Sequence, residues 1–354
     1  MNSVDELYMQ RCLQLARCGT GSTSPNPMVG AVIVCDGRII GEGYHIRAGE
    51  PHAEVNAVNS VAPEDRPLLA RSTMYVSLEP CSHYGKTPPC CDMIIARGIP
   101  RVVIGSADPN SQVNGAGIER MRAAGVDVTV GVLEEECLRL NRAFFASQIH
   151  KRPYVTLKWA QSADGYIDLL RDSGSAVKIS SSVSQVAVHR LRAQHDAILV
   201  GRHTALLDNP SLDIRHWAGR APLRLVIDKN GTLPVGLKMF DGVLPTIVYT
   251  AREKEDKFGN NVGQVVLDFD LPLLPQILSH LHGLKINSLL VEGGATVLQS
   301  FIDAGLWDEA RVEVNPSLEL GDGVVAPDFN LDSPCVREAL AGNEILHFHR
   351  LKTP

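Results

Sequence analysis

The chain has 354 residues, 44% hydrophobic and 21% charged, which suits a globular protein long enough for two domains, each burying its own core. Forty acidic against thirty-four basic residues give a formal net charge of −6, and no Lys/Arg block occurs, so a nucleic-acid partner held through its phosphates is not expected. The start Met1-Asn2-Ser3-Val4-Asp5-Glu6 lacks the pattern of a signal peptide, and no apolar stretch approaches the ~18 residues of a membrane span. Eight cysteines are too few for a secreted disulfide framework, so a cytoplasmic location without a membrane partner is expected.

In chain order, the pattern alternates helical and extended periods in an α/β manner. Asp5 to Arg17 reads as a helix with Leu7, Cys12 and Leu15 inward. Val29 to Val34 and Arg38 to Gly43 read as a strand pair around the turn Cys35-Asp36-Gly37. A helix from Ala53 to Val61, a strand from Thr73 to Leu78, a helix after Pro88-Pro89 through Cys91 to Ala96, a strand from Arg101 to Ile104, a helix from Gly117 to Ala124 and a strand from Val126 to Val130 follow. The pattern breaks over Gln148 to Pro153, which places the expected boundary near residue 150, with domains 1–150 and 151–354. Beyond it come strands Tyr154 to Trp159, Ala197 to Val200, Leu223 to Ile227, Thr246 to Tyr249, Ser288 to Val291, Ala310 to Asn315 and Ile345 to Arg350. Helices Ser182 to Gln194, Pro272 to His282 and one from Ala295 lie between them, and Arg252 to Lys257 reads as a solvated loop.

Chemistry concentrates in the first half. His52-Ala53-Glu54, Pro80-Cys81 and Pro89-Cys90 supply one imidazole, two thiols and one carboxylate. One imidazole and two thiolates leave the fourth tetrahedral position of Zn²⁺ open for water, and bound zinc lowers the pKa of that water towards ~7. Glu54 is not needed as a ligand and is free to shuttle a proton, as a zinc-dependent base deaminase requires. A lone buried cysteine is usually a small hydrophobe, so the combination carries the reading. The spacing sets His52 and Cys90 at helix starts, where the peptide dipoles favour thiolate. Cys91 is a competing ligand, but a one-residue slip turns it to another helix face. Eight residues separate the cysteines, against the C-x-x-C of the general deaminase pattern.

That longer loop, Cys81-Ser82-His83-Tyr84-Gly85-Lys86-Thr87-Pro88-Pro89-Cys90, together with Thr23-Ser24-Pro25-Asn26-Pro27-Met28-Val29-Gly30 and Gly43 to Glu54, resembles the bifunctional deaminase/reductase family of riboflavin biosynthesis over nearly the whole chain. The resemblance implies a fold class of α/β type, an N-terminal cytidine-deaminase-like three-layer domain followed by a C-terminal dihydrofolate-reductase-like domain. It implies Zn²⁺ and NADPH as cofactors, a phosphorylated ribosylaminopyrimidine as substrate and a homo-oligomer. By the same resemblance Asn26, His45, His83 and Lys86 belong to the substrate motifs of the first domain, and an amide, two imidazoles and an ammonium suit a pyrimidine edge and a phosphate.

In the second half Gly293-Gly294 follows the apolar run Ser288 to Glu292 and precedes a helix, a plausible phosphate cradle without any GxGxxG fingerprint. Lys158, Asp164-Gly165, His189 to Arg192, Asp196 to Gly201, Thr204, Asp208 to Leu212, Arg215 and Glu292 to Ala295 match the reductase half of the family. By that match Thr204, Asp208, Gly293, Gly294, Ala295 and Thr296 contact the nicotinamide nucleotide. Arg192, Leu212, Arg215 and Glu292 face the substrate phosphate, and Lys158 and Asp208 sit at the reacting sugar. Two arginines suit a phosphate through forked hydrogen bonds. The chain departs from the family with Tyr166-Ile167-Asp168 after Asp164-Gly165, Lys178 before Ile179-Ser180 where a Trp is usual, and Lys229 after Asp228. Lys178 and Lys229 are thereby candidates for a 2′-phosphate.

The expected activity is a two-step one: zinc-dependent hydrolysis of a ring amine, then NADPH-dependent reduction of the ribosyl side chain to ribityl. The runner-up is a deaminase whose second half binds substrate without reducing it. A tRNA or nucleotide deaminase is disfavoured by the missing basic surface and by the second domain, and a purely structural zinc by the open ligand position and by Glu54, which would have no task.

Overall fold

A computed structural model describes residues 3–84, 88–108, 115–253 and 258–350. It divides into two compact units between Lys151 and Arg152.

The first unit contains α1 (Val4–Arg17), β1 (Gly30–Cys35), β2 (Arg38–Tyr44), α2 (Ala53–Asn59), β3 (Thr73–Leu78), α3 (Cys90–Ala96), β4 (Arg101–Ser106), α4 (Ala116–Ala123), β5 (Asp127–Val130), α5 (Glu134–Leu140) and α6 (Arg142–His150). Its sheet has the order β2-β1-β3-β4-β5. The β2, β1 and β3 neighbours run antiparallel, while β3, β4 and β5 run parallel. Strands buried on both faces send alternate residues to opposite sides. Ala31, Ile33, Met74, Val76, Val102 and Ile104 pack with α2, α3 and α4, whereas Val32, Val34, Tyr75 and Val103 pack with Met9, Cys12 and Leu13 of α1 and Cys137 of α5. Three layers result.

A capping box between Ser3 and Glu6 starts α1. Its inward residues are Met9, Cys12, Leu13 and Ala16, so the expectation for Leu7 is corrected: Leu7 is 59% exposed, one step off the buried i, i+3, i+4, i+7 stripe. The hairpin turn holds Asp36 and Gly37 both at positive φ, 52° and 76°, which the tight connection demands. Helix α6 runs through His150 and is capped by Lys151 in the left-handed region, so the sequence break over Gln148 to Pro153 includes a helix end.

The second unit contains β6 (Tyr154–Ser162), β7 (Tyr166–Asp168), α7 (Ser182–Ala193), β8 (Ala197–Gly201), α8 (Arg202–Asp208), β9 (Leu223–Ile227), β10 (Thr246–Thr250), β11 (Val262–Val266), α9 (Leu273–Gly283), β12 (Ser288–Glu292), α10 (Ala295–Ala304), β13 (Glu309–Asn315), β14 (Val324–Val325), β15 (Val336–Leu340) and β16 (Asn343–His349). The large sheet has the order β11-β10-β9-β8-β12-β6-β13-β16-β15. It is parallel from β11 to β13 and antiparallel at β16 and β15. Alternation again serves two cores. Leu199, Leu289 and Val291 face α9 and α10 through Ile277, Leu281, Leu298 and Phe301, while Ile198, Val200 and Leu290 pack with Leu191, Ala205 and Leu212. The chain moves outward from β8 to β11 and returns to insert β12 between β8 and β6, which opens a crevice at the carboxyl ends of those strands.

Glycine at position 43 lets α2 lie against β2. A Cβ there would stand 2.3 Å from Ala57 N and 2.6 Å from Ala53 O, backbone atoms that can yield only if the helix shifts. Gly43→Ala is therefore expected to cost about 1–3 kcal/mol as overpacking and to weaken metal retention, because α2 follows His52 directly and carries Glu54. Gly37→Ala meets no atom within 4 Å and should lower the thermal midpoint through backbone strain alone, with metal retained. Thermal denaturation and metal content of both variants check this.

Candidate active sites

In the first unit the strand ends and helix starts bring three donors together. His52 is the N-cap of α2 and Cys90 the first residue of α3. His52 Nδ1 lies 3.6 Å from Cys81 Sγ and 3.5 Å from Cys90 Sγ, and the three ligand atoms all fall within 4.8 Å of one another. Tetrahedral zinc with ordinary Zn–N and Zn–S bonds requires an N···S edge of about 3.6 Å. The donor set fits zinc with one position open. Cys91 is fully buried in the apolar core between helices and sheet, away from this cluster.

The charges are strongly coupled. A hydrogen bond with Cys81 raises the His52 imidazole to about 9. Cys81 is drawn down to about 4, first by the hydrogen bond from Cys90 and then by His52, and the Cys90 backbone N–H also donates to its sulfur at 3.3 Å. The Cys90 thiol is pushed up by the Cys81 thiolate and by burial. Glu54 is buried beside this cluster, and burial raises its carboxyl above the usual range.

His45 and Asn26 stand next to the metal donors but are engaged with each other. His45 is buried, its ring edge-to-face with His52 at 5.5 Å between centroids. Its Nδ1 is 3.1 Å from the Pro51 carbonyl, and its Nε2 is 3.1 Å from Asn26 Nδ2. Donation from Nδ1 to the carbonyl assigns Nε2 as the acceptor of the amide. Burial lowers the His45 pKa, consistent with this neutral tautomer. Asn56 also donates to the Pro51 carbonyl, at 3.3 Å, so two side chains orient the peptide that leads into His52. His83 is exposed on the loop after Cys81, and Lys86 lies outside the described residues.

Two residues that the sequence reading did not single out complete this site: Asn56 and Glu79. Glu79 is 4% exposed. Its carboxylate accepts backbone N–H groups of Asp108, Gly115, Gly117 and Ile118 at 3.0–3.4 Å, which docks the start of α4 against the Pro80-Cys81 segment. Its one sequence signal is an acid closing the buried strand β3 just before Pro80.

In the second unit a cavity of about 490 Å³ opens at the carboxyl edge of β6, β8 and β12. The structure brings Lys158, Arg192, Thr204, Asp208, Leu212, Glu292, Gly293, Gly294, Ala295 and Thr296 to its wall. Arg215 is not brought there. It pairs with Asp213 at 2.8 Å, and 57% of its side chain is exposed, because the segment after Leu212 leads it to the surface. Arg192 forms a fork on Glu292, with contacts of 2.6–3.2 Å. Burial alone would raise Glu292, yet Arg192 and then Lys158 hold it below the ordinary carboxylate range. Lys158 and Glu292 are register neighbours on adjacent parallel strands.

Gly293 and Gly294 have φ of 108° and 73°, and a Cβ on either would come within 3.1–3.2 Å of the Thr204 side chain. A side chain at either position would crowd Thr204 and strain the backbone at its positive φ, so glycine suits this approach to the start of α10, as expected of a cradle for a nucleotide. Helix α8, which carries Thr204 and Asp208, was not foreseen. It spans seven residues and ends with Asn209 in the left-handed region. Arg171 bridges Asp168 at 2.7 Å and also contacts Asp208. Of the two departing lysines, Lys178 lines the cavity. Lys229 is not among its lining residues, and its ammonium stands 5.7 Å from the Phe269 ring centroid.

Taken together, these features define a zinc-site deaminase unit and a reductase unit in one chain. Family comparison agrees: residues 2–106 match the cytidine and deoxycytidylate deaminase zinc-binding region, and residues 153–331 match the RibD C-terminal domain. The riboflavin biosynthesis protein RibD of Aquifex aeolicus is 41% identical over 94% of this chain and 92% of its own length. The RibD protein of Escherichia coli K12 is 40% identical over 89% of this chain and 88% of its own. A Thermotoga maritima crystal structure, described as a diaminohydroxyphosphoribosylaminopyrimidine deaminase/5-amino-6-(5-phosphoribosylamino)uracil reductase, superposes with a TM-score of 0.88 at 37% identity, covering 98% of each chain. The chain belongs to the RibD family: it is a bifunctional riboflavin-biosynthesis enzyme, a zinc-dependent deaminase joined to an NADPH-dependent reductase. Among the described residues no helix is long and apolar enough to cross a membrane.

Two predictions follow from the metal donors. Cys90→Ser is expected to lose bound zinc, whereas Cys91→Ser should keep it and lose only stability, as read by metal analysis and thermal melting. At pH 7 His52, held at about 9, and the raised Cys90 thiol carry protons, whereas Cys81, at about 4, does not. Zinc takes neutral imidazole and thiolates, so binding to chelator-stripped protein should release about two protons from these ligands, and affinity should rise with pH. Above the His52 value the release should fall towards about one. Calorimetric titrations in buffers of different ionisation enthalpy measure the number.

Proposed function

We propose that His52, Cys81 and Cys90 hold the zinc and that Glu54 is the proton carrier for hydrolysis of the 2-amino group of 2,5-diamino-6-ribosylamino-4(3H)-pyrimidinone 5′-phosphate. The observation that carries this reading is a three-donor cluster of zinc-like dimensions with a buried carboxylate two residues from one donor. Zinc bound there supplies an activated water. Glu54, buried and raised, accepts a proton on the water side and delivers it to the departing amine. Asn26 and His45 hold the donor loop and present the remaining amide edge to the pyrimidine, with His83 and Lys86 contributed by the loop after Cys81.

In the second unit the proposal assigns the reduction of the ribosyl side chain, giving 5-amino-6-(5-phospho-D-ribitylamino)uracil. NADPH bound there supplies the hydride. Thr204 and the stretch Gly293 to Thr296 cradle the nucleotide, while Lys158, Asp208 and Glu292 address the sugar. Arg192 and Leu212 position the substrate, and Arg215, exposed beside Asp213 on the segment after Leu212, meets its phosphate from the rim. The remaining assignments rest on composition and resemblance: a cytoplasmic homo-oligomer acting on a phosphorylated small molecule and not on nucleic acid, since thiolate ligands require a reducing compartment and the net charge is −6.

The test couples both steps. Purified protein given the diaminopyrimidine should release ammonia and, with NADPH present, lose absorbance at the nicotinamide band. Glu54→Gln should keep zinc and fold, lose at least ~10²-fold in deamination, and still oxidise NADPH when given the deaminated pyrimidine. Near-normal deamination by zinc-loaded Glu54→Gln sinks the proton-carrier role. Ammonia release without any NADPH oxidation sinks the reductase assignment.

A further inference from the structure

The cavity of the second unit has an uneven charge account. Its lining carries Lys158, Arg171, Lys178 and Arg192 against Asp168, Asp208 and Glu292. Arg171 is taken up by Asp168 and Asp208, and Arg192 by Glu292; Lys158 lies beside the same Glu292. Lys178 is left over. Among the described residues no carboxylate forms an ion pair with it, and its side chain is exposed at the cavity.

The backbone that presents Lys178 is fixed on both sides. Ile179 N–H donates to the Val177 carbonyl at 3.1 Å, a three-residue turn with Lys178 at its apex. On one side Val177 N–H donates to Asp168 Oδ1 at 3.0 Å, and Asp168 is itself clamped by Arg171. On the other the Ile179 carbonyl accepts from Asn315 and Asn343 at 3.1 and 3.2 Å, and Ser180 donates to Glu313 at 2.6 Å. Three elements of the unit, β7, β13 and β16, thus hold one turn in place while its apex side chain bonds to none of them. Such a position gives up little backbone entropy when an anion binds.

We propose that Lys178 is a phosphate-recognition residue of the reductase cavity, contacting a phosphate group of a ligand seated there. The inference rests on the reductase reading above and adds to it a contact made by a residue at which this chain departs from its family's usual pattern. The phosphate has three possible sources: the 2′-phosphate of the dinucleotide, its pyrophosphate, or the 5′-phosphate of the sugar. A lysine acts as a mobile point charge rather than a fork, so arginine substitutes for it where charge is what matters.

The test is equilibrium binding of NADPH, NADH and ribose 5-phosphate to the zinc-loaded full-length protein, comparing wild type with Lys178→Met and Lys178→Arg. Lys178→Met is expected to weaken at least one ligand about tenfold, the size of a lost charge-assisted contact, with Lys178→Arg staying within about threefold of wild type. A loss confined to NADPH assigns the 2′-phosphate, equal loss for both nucleotides the pyrophosphate, and loss for ribose 5-phosphate the sugar phosphate. Unchanged affinity for all three in Lys178→Met, with thermal midpoint preserved, overturns the proposal. Wild-type protein that binds none of the three overturns the reductase reading itself, and this inference with it.

Discussion

Everything in the first unit serves to hold one imidazole nitrogen about equally far from two sulfurs. Gathering an imidazole and two thiols in a partly buried place costs desolvation, and without metal their charges resolve as a His52 imidazolium beside the Cys81 thiolate with Cys90 protonated. The fold meets that cost with packing. The absence of a side chain at Gly43 lets α2 approach β2 closely enough to set His52, and burial of Cys91 in the core fixes the rotation of α3 that turns Cys90 towards His52 and Cys81. Metal affinity is in this way coupled to the packing that holds the donors together. Glu79 secures the remaining ligand segment, because a buried carboxylate that accepts several N–H groups is too costly to leave unpaired.

The second unit solves a different problem, keeping ionised groups ready in a cavity without letting them attract one another out of place. It does so with pairs whose members come from separate elements. Arg192 on α7 is forked on Glu292 of β12, and Arg171 ties Asp168 of β7 to Asp208 of α8. The fully buried Arg224 supports the same wall from below. It reaches the Ser211 carbonyl, Thr246 and Asp241, and so pins the segment that places Leu212 at the cavity. Breaking such a buried pair from one side would leave an uncompensated charge, so these residues set the geometry of the cleft as much as its electrostatics.

Most strands and the longer helices were legible because burial imposes a local period that composition reveals. β3 and β9 have the boundaries expected, and α7 and α9 differ from expectation by one residue at most at either end. Some short helices were not, although α2, α3 and α4, of seven or eight residues, were. Helices α5, α6 and α8 span only seven to nine residues, too few turns for an apolar stripe to stand out. The acidic first turn of α5, Glu134 to Glu136, was the available signal, since acids favour a helix start.

The sequence by itself determined which residues could do the chemistry. His52, Glu54, Cys81 and Cys90 form a recognisable set because metal coordination and proton transfer restrict residue type and order, and these restrictions survive without any knowledge of contacts. Tertiary structure decided which of the family-like residues actually meet. It took Arg215 out to the surface against Asp213, joined Arg192 to a carboxylate a hundred positions away, and put Lys178 at the cavity while Lys229 went to an aromatic ring. Long side chains in pairs distant along the chain leave no periodic trace. Their partners are chosen by which strand edges and loops the sheet order brings together, and that order is a property of the whole fold.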